Sequence, residues 1–260
     1  MNKKELLERL ETLKDDIDEL IDNADDFSGD QQRRRVTNSI FFIPFADVKA
    51  LLRGGFIDLF RVGDQIVNKH EKFGLIAWDV IGKNHDMPAS GEVTPTLTLQ
   101  MHDVLPGVYV YSSESDSFPY GHAHYPSSDI RNTLNVEILK GFSEEDRAAM
   151  LEVEKTTFSV VSEGNKPETT VDKLFLLSAS EAGFTGETVR PEGNVYEYYE
   201  AMPARRCKAE LDDPEQARYW WLRSPYPGIA SSARLVHTSG ARDNYSACGG
   251  YGAAAACVIG

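Results

Sequence analysis

The chain is short of cysteine, of basic clusters and of long apolar runs, and its last 39 residues lack five amino acids altogether. The three cysteines, Cys207, Cys248 and Cys257, match neither a zinc ribbon nor a CxxC redox pair. Their odd number leaves at least one thiol over, so no disulfide framework is expected. The only basic cluster, Arg33-Arg34-Arg35, follows an acidic stretch in a chain of net charge −14. Such a chain repels phosphate backbones and anionic lipid, which argues against nucleic-acid binding. No stretch approaches 18 apolar residues, so no membrane insertion is expected. The N-terminal MNKKELLERLETL is charged and carries no apolar core of a secretory signal. Synthesis in the cytoplasm is the expectation, with assembly into a virus particle as one route to the outside.

The five amino acids missing between Leu222 and Gly260 are Lys, Glu, Gln, Met and Trp. The preceding 221 residues hold 46 of them. At that density about eight would fall in the tail, since soluble chains use these residues freely. The five share one property. They are the residues that cannot be reached when the first two bases of an Asn codon, AAC or AAT, are randomised. The tail therefore reads as a stretch in which Asn codons were scrambled at chosen positions, as in a surface diversified for binding.

Upstream, Leu6, Leu10, Leu13, Ile17 and Leu20 are spaced 4, 3, 4, 3, which predicts an amphipathic, coiled-coil-like helix over residues 1–27. A lone helix of that length is marginal in water, so a homo-oligomer formed through residues 3–22 is expected. Residues 28–40 read as a linker and 41–260 as the ligand-binding domain. Within it, Phe45, Val48, Leu51 and Leu52 predict a short helix ending at Gly54-Gly55, and FRVGDQIVNK, FGLIAWDVIGK and VTPTLTLQMHDV predict strands. A helix is expected from Ser128-Asp129, carrying Ile130, Leu134, Val136 and Ile138. A second follows the capping box Ser143 to Asp146. TTFSVVS and DKLFLLS read as strands flanking a polar loop at 162–172, and 185–218 as a polar insertion or edge segment.

LFLLSASEAG (174–183), YWWLRSP (219–225) and the Gly/Ala/Ser-rich run ending GAAAACVIG carry a resemblance, supported by GDQI, AWDVIGK, SDIRNTLN and FSEEDRAAM. The chain resembles, over residues 60–260, a family of phage and gut-bacterial proteins with a WWLRSP-type C-terminal domain. Some members resemble the variable proteins of diversity-generating retroelements, which mutate adenines in a C-terminal repeat. The resemblance implies an α+β, C-type-lectin-like fold that displays a variable region, here about 222–260, on one exposed face. It also implies host recognition at a phage tail, with a protein or glycan ligand on a target cell surface.

The residues themselves divide into a frame and a variable set. Ala233, Arg234, Val236, Thr238, Gly240, Arg242, Ala247 and Gly252 onward make a plausible frame. Between them fall Leu235, His237, Ser239, Ala241, Asp243, Asn244, Tyr245, Ser246, Cys248, Gly249, Gly250 and Tyr251. Upstream, Tyr226, Gly228, Ile229, Ala230 and Ser232 behave alike. From 235 to 243 the set has period 2, which on one strand would put variable residues on one face and frame on the other. Tyr226, Tyr245, Tyr251, His237 and Ile229 are the expected anchors, with Asp243 and Asn244 giving polar selectivity. Ala230, Ala241, Gly249 and Gly250 would form a depression. Trp220, Trp221, Arg223, Arg234 and Arg242 are expected to support the site, the two Trp facing opposite layers.

Two other readings stay open. His122-Ala-His124 could be a metal pair, with Asp103, Asp116 or Asp129 as a third ligand. Lectin-type folds also include formylglycine-generating enzymes that use cysteine chemistry, but Cys248 sits at a variable position and Cys257 in an apolar run suited to a buried, inert thiol. There is no P-loop, G-x-S-x-G or dinucleotide fingerprint. No enzyme activity, metal or cofactor is therefore expected. A structural appendage without a ligand is the blandest alternative.

Overall fold

A computed structural model describes residues 38–260 of the chain. The predicted N-terminal helix, its oligomer seam and most of the linker lie outside the described residues. The compact unit starts at Asn38, and its first strand, β1 (Ile40–Phe42), begins inside the segment read as linker.

The architecture is α+β, mostly sheet with a few short helices. The main sheet has the order β1-β2-β3-β4-β14, built from β1, β2 (Gln65–His70), β3 (Gly74–Lys83), β4 (Leu97–Met101) and β14 (Ala256–Ile259). β1 runs parallel to β2, and the other neighbours are antiparallel. β4 and β14 are buried along their whole length, because both faces of this sheet are covered. Register decides what lies on each face. Trp78 pairs with Met101 and Asp79 with Gln100, so Trp78 and Asp79 point to opposite sides.

On the Trp78 side sits the expected helix, Phe45–Arg53, with Phe45 edge-on to Trp78 at 5.5 Å and Phe142 tilted against it at 5.9 Å. Half of the expected capping box forms: the Ser143 hydroxyl accepts from the Asp146 N–H at the start of the helix Glu144–Ala149, while the Asp146 carboxylate accepts from the Ala46 N–H instead of reaching back to Ser143. The Asp79 side is covered by a helix that the sequence reading missed, Glu197–Ala201. Tyr198 donates to Asp79, and Tyr199 donates to Gln100. The segment 185–218 is thus not simply a polar insertion. Its three tyrosines, Tyr196, Tyr198 and Tyr199, are interior, and a tyrosine hides from hydropathy patterns because its ring buries while its hydroxyl bonds.

The stretch 153–178 also differs from its expected layout. β6 (Val153–Phe158) pairs with β7 (Pro167–Asp172), which lies inside the segment read as a loop. Residues 174–177 are buried, but Phe175 makes only an isolated bridge to Ala256. β7 is polar and half exposed, so its Thr-rich alternation looked like a loop. The helix expected from Asp129 forms as an α-turn, Asp129–Asn132, continuing as a wider π-turn, Thr133–Ile138. The wide turn carries Asn135, whose side-chain amide donates to the Leu174 carbonyl and accepts from the Lys173 and Leu174 N–H groups. That side chain pins the irregular buried run in place of a strand partner.

Candidate tail face

The tail is laid out on a three-stranded antiparallel sheet, β10 (Trp220–Pro225), β11 (Ser232–Val236) and β12 (Arg242–Ser246), with β12 at the edge. Beside it β13 (Gly250–Tyr251) pairs with β5 (Tyr109–Val110). A parallel bridge between Trp220 and Gly252 ties the two together.

The supporting residues are held from within. Trp220 and Trp221 are both fully buried, and their indole N–H groups donate in different directions, to the Arg206 and Tyr109 carbonyls. Arg223 is buried completely. It donates to Glu181, to the Leu176 carbonyl at 2.9 Å, to the Glu192 carbonyl at 2.5 Å and to the Thr156 carbonyl at 3.2 Å. Lys155 joins the same centre, 3.2 Å from Glu181 and 2.5 Å from Asp86. Burial alone would push the Glu181 carboxyl upward, but the Arg223 and Lys155 charges outweigh it and hold it at about 2. Glu192 is pushed up instead, chiefly by burial, although Ser224 and the Phe158 N–H donate to it. This ionic centre fastens β10 to the segments 155–158, 176–181 and 192 at once.

The variable set lies mostly at the surface. Gly228, Ile229, Ser239, Ala241, Tyr245, Ser246 and Gly250 are exposed. Tyr226, Ala230, His237, Asp243, Asn244, Cys248, Gly249 and Tyr251 are half-buried. Frame residues Ala233, Arg234, Val236, Ala247 and Gly252 are buried. Two expected contact residues are not at the surface. Leu235 is fully buried, opposite Trp221 in the sheet, and Ser232 is 5% exposed and donates to the Tyr245 carbonyl. Both sit on the central strand β11, where neighbours on either side close off solvent.

The expected single strand over 235–243 is also corrected. The chain turns between β11 and β12, with the His237 N–H donating to Ala241 and the Gly240 N–H donating to His237. Gly240 has a φ of 79°, which favours glycine. After the turn the variable residues run consecutively, so they alternate between two faces. Pairing of Leu235 with Asp243 and Ala233 with Tyr245 defines one face. Pairing of Arg234 with Asn244 and Ser232 with Ser246 defines the other.

The first face is aromatic. Tyr245 and Tyr251 rings stand 5.1 Å apart, and Tyr219 lies 4.6 Å from His237, 5.7 Å from Tyr251 and 6.2 Å from Tyr245. Trp221 closes the cluster from below, 5.0 Å from Tyr251. Tyr219 was missed in the sequence. Its signal was strand parity, two residues from Trp221 and therefore on the same side. The second face is polar. Arg234 stacks on Tyr226 at 4.7 Å and donates to the Thr188 hydroxyl at 2.7 Å, while Asn244 donates to Ser232 at 3.1 Å.

The segment 112–124 borders both the tail turns. The Cys248 N–H donates to the Tyr120 carbonyl, and the Ala123 N–H donates to Ala230. Tyr120 is 62% exposed and Ile229 51%, and Val108 lies against Gly250, so large apolar side chains rim the tail. Two open, shallow hollows, of about 760 and 640 Å³, are lined by residues outside the tail, around Arg131 and Asp172 and around Phe42 and Phe142.

His122 and His124 stack 5.7 Å apart but bond different carboxylates, Glu163 at 2.5 Å and Glu168 at 2.7 Å. Asp129 accepts from the Ser113 N–H and does not join them. Among the described residues no group of three or more His, Cys, Asp or Glu is placed to hold a metal ion. Cys257 is buried, with its thiol pushed well up by burial. No helix among the described residues is long and apolar enough to cross a membrane.

The family described as a domain of unknown function (DUF6273) matches residues 96–260, which takes in the whole tail, β4 and the ionic centre around Arg223 except Asp86. No curated protein and no solved structure matches the chain.

Proposed function

The chain belongs to the DUF6273 family, and we propose that it serves there as a ligand- or receptor-binding protein whose C-terminal face is diversified by a retroelement acting on adenines. The setting we propose is host recognition at a phage tail, on a C-type-lectin-like scaffold, with a protein or glycan of a target cell surface as ligand. One observation carries this reading. Between Leu222 and Gly260 the residues that look drawn from scrambled Asn codons reach solvent, Ser232 and Leu235 apart, while the frame residues Ala233, Arg234, Val236, Ala247 and Gly252 are interior and only Thr238, Gly240 and Arg242 of the named frame are half-exposed.

The physics of the face supports recognition. Tyr219, Tyr245, Tyr251 and His237 offer stiff aromatic area on one face of the hairpin, and Asn244 and Ser246 offer adaptable polar groups on the other, the residue types that paratopes use. The burial of Trp220, Trp221 and Arg223 means that the surface residues can change without removing what holds β10 in place. Oligomerisation through residues 3–22 belongs to the same proposal, since several copies of a weak face bind a surface with avidity.

Sequencing the gene's surroundings tests the reading. A near-copy of the tail-coding segment with Asn codons at the variable positions, beside a reverse transcriptase gene, is the expected result. A neighbourhood with neither would overturn it.

A further inference from the structure

The edge strand β12 carries an acid and an aromatic side by side on its aromatic face. Asp243 and Tyr245 lie two residues apart, opposite Leu235 and Ala233 of β11, and so point to the same side. Tyr219, Tyr251 and His237 stand on that side too, with Tyr245 5.1 Å from Tyr251 and 6.2 Å from Tyr219. Burial first, and then Tyr245, Tyr219 and Asp243, push the Tyr251 phenol up, which places the carboxylate within electrostatic reach of the cluster. Tyr245 is 42% exposed and Asp243 half-buried, so solvent reaches both.

Asp243 has no cationic partner. Among the described residues no Lys, Arg or His nitrogen lies within 4.0 Å of its carboxylate. One carboxylate oxygen accepts from the neighbouring Asn244 N–H at 2.8 Å. The two arginines of the hairpin sit on its other face, with Arg234 2.7 Å from the Thr188 hydroxyl and Arg242 3.2 Å from the Thr185 carbonyl. A net charge of −14 adds a field that draws cations toward the chain. The rings narrow the ligand further. Tyr245 is tilted by 44° to Tyr251 and by 84° to Tyr219, and Tyr219 by 53° to Tyr251. No two of them lie flat together, so the cluster offers no broad platform for a sugar ring. A compact cation needs only one ring face within about 6 Å.

We infer that Asp243 and Tyr245, backed by Tyr219 and Tyr251, form the seat for a cationic side chain, Lys or Arg, of a protein partner. The inference rests on the binding-face reading above and names the partner's chemistry. The ammonium or guanidinium pairs with the carboxylate oxygen that Asn244 leaves free, and its apolar stem lies over the Tyr245 ring. A protein is favoured because Val108, 66% exposed, lies against Gly250 beside Tyr251. It extends the aromatic patch on the same side with apolar area of the kind that protein interfaces bury around an anchor.

The test is a selection of displayed random peptides on the full-length chain at physiological salt, where exposed charges more than about 8 Å apart are largely screened. An array of neutral, amino-sugar and phosphocholine-bearing glycans is the second arm. Four proteins are compared: wild type, Asp243→Asn, Asp243→Lys and Tyr245→Ala. Peptides selected on the wild type should be enriched in Lys or Arg over the input. The best of them should bind Asp243→Asn about ten-fold more weakly, the loss of one charged hydrogen-bonded contact. Selection on Asp243→Lys should lose the enrichment. Asn keeps an acceptor oxygen for the Asn244 N–H, so Asp243→Asn is expected to melt as the wild type does. Basic peptides that bind Asp243→Asn as tightly as the wild type would overturn the inference, since net charge alone would then account for them. Peptides that need Tyr245 but show no basic enrichment would overturn it and leave the binding face standing. Glycans bound in place of peptides would overturn the choice of a protein. No binding in either arm would overturn the inference together with the face on which it rests.

Discussion

Tyr245 and Tyr251 meet with ring centroids 5.1 Å apart and planes tilted by 44°, although one lies on the edge strand of the three-stranded sheet and the other on the short strand paired with Tyr109. The pair joins two sheets at the surface, so it is expected to matter for binding more than for folding. Tyr245 is 42% exposed. Tyr245→Ala should cost at most about 1 kcal/mol of stability, as surface substitutions do. Leu235→Ala should cost about 2–5 kcal/mol, because a buried side chain leaves a cavity. Urea midpoints of the two variants check this; equal losses would show that the two positions are not divided between surface and interior.

The ionic centre gives a pH dependence with a defined sign. Glu181 is held at about 2 in the folded chain, below the ordinary carboxylate value. Its stabilising contribution is therefore present above the unfolded value of about 4.5 and is lost as pH falls from about 5 toward 2. Glu192 is displaced the other way, so its contribution is lost as pH rises. Glu181→Gln should destabilise by about 3–5 kcal/mol at neutral pH, since Arg223 and Lys155 lose a buried partner, and should flatten the acid limb. Glu192→Gln should cost far less. Melting temperatures from pH 3 to 8 separate the two, and a larger loss for Glu192→Gln would contradict the assignment.

Much of this arrangement was legible in the sequence, and the failures have physical causes. The helix at Phe45, the Ser143 cap and the surface residues of the tail follow from periodicity, capping chemistry and composition, all of them local signals. Leu235 and Ser232 could not be recognised as interior, because burial of β11 depends on β10 and β12 arriving on both sides. Tyr196, Tyr198 and Tyr199 were hidden by the polar residues around them, and the pairing of β6 with β7 by the polar alternation of β7.

The thiols should react in a fixed order. Cys207 is exposed and Cys248 half-exposed, with its thiol pushed up by its surroundings and by Glu114; Cys257 is buried. Thiolate nucleophiles need access and ionisation. Iodoacetamide labelling followed by mass spectrometry should modify Cys207 first, Cys248 more slowly, and Cys257 only after unfolding. Modification of Cys257 in the folded chain would contradict the placement of β14.

Gly121 sits where 112–124 crosses the tail. Its φ is 73°, and a Cβ there would run into the Ser112 carbonyl oxygen and the Cys248 N–H. Gly121→Ala should cost about 2 kcal/mol or more and expose the Cys248 amide. Faster hydrogen exchange at Cys248, with exchange at Leu99 in β4 unchanged, is the expected signature.

Sequencing the tail-coding segment across a population of the source gene tests the central claim most directly. The account predicts substitutions concentrated at solvent-reaching positions such as Gly228, Ile229, Ser239, Ala241, Asp243, Tyr245 and Gly250, drawn from residues whose codons end in C or T, with Ala233, Val236 and Ala247 constant. Substitutions spread evenly over buried and exposed positions, or the arrival of Lys, Glu, Gln, Met and Trp at the surface sites, would contradict it.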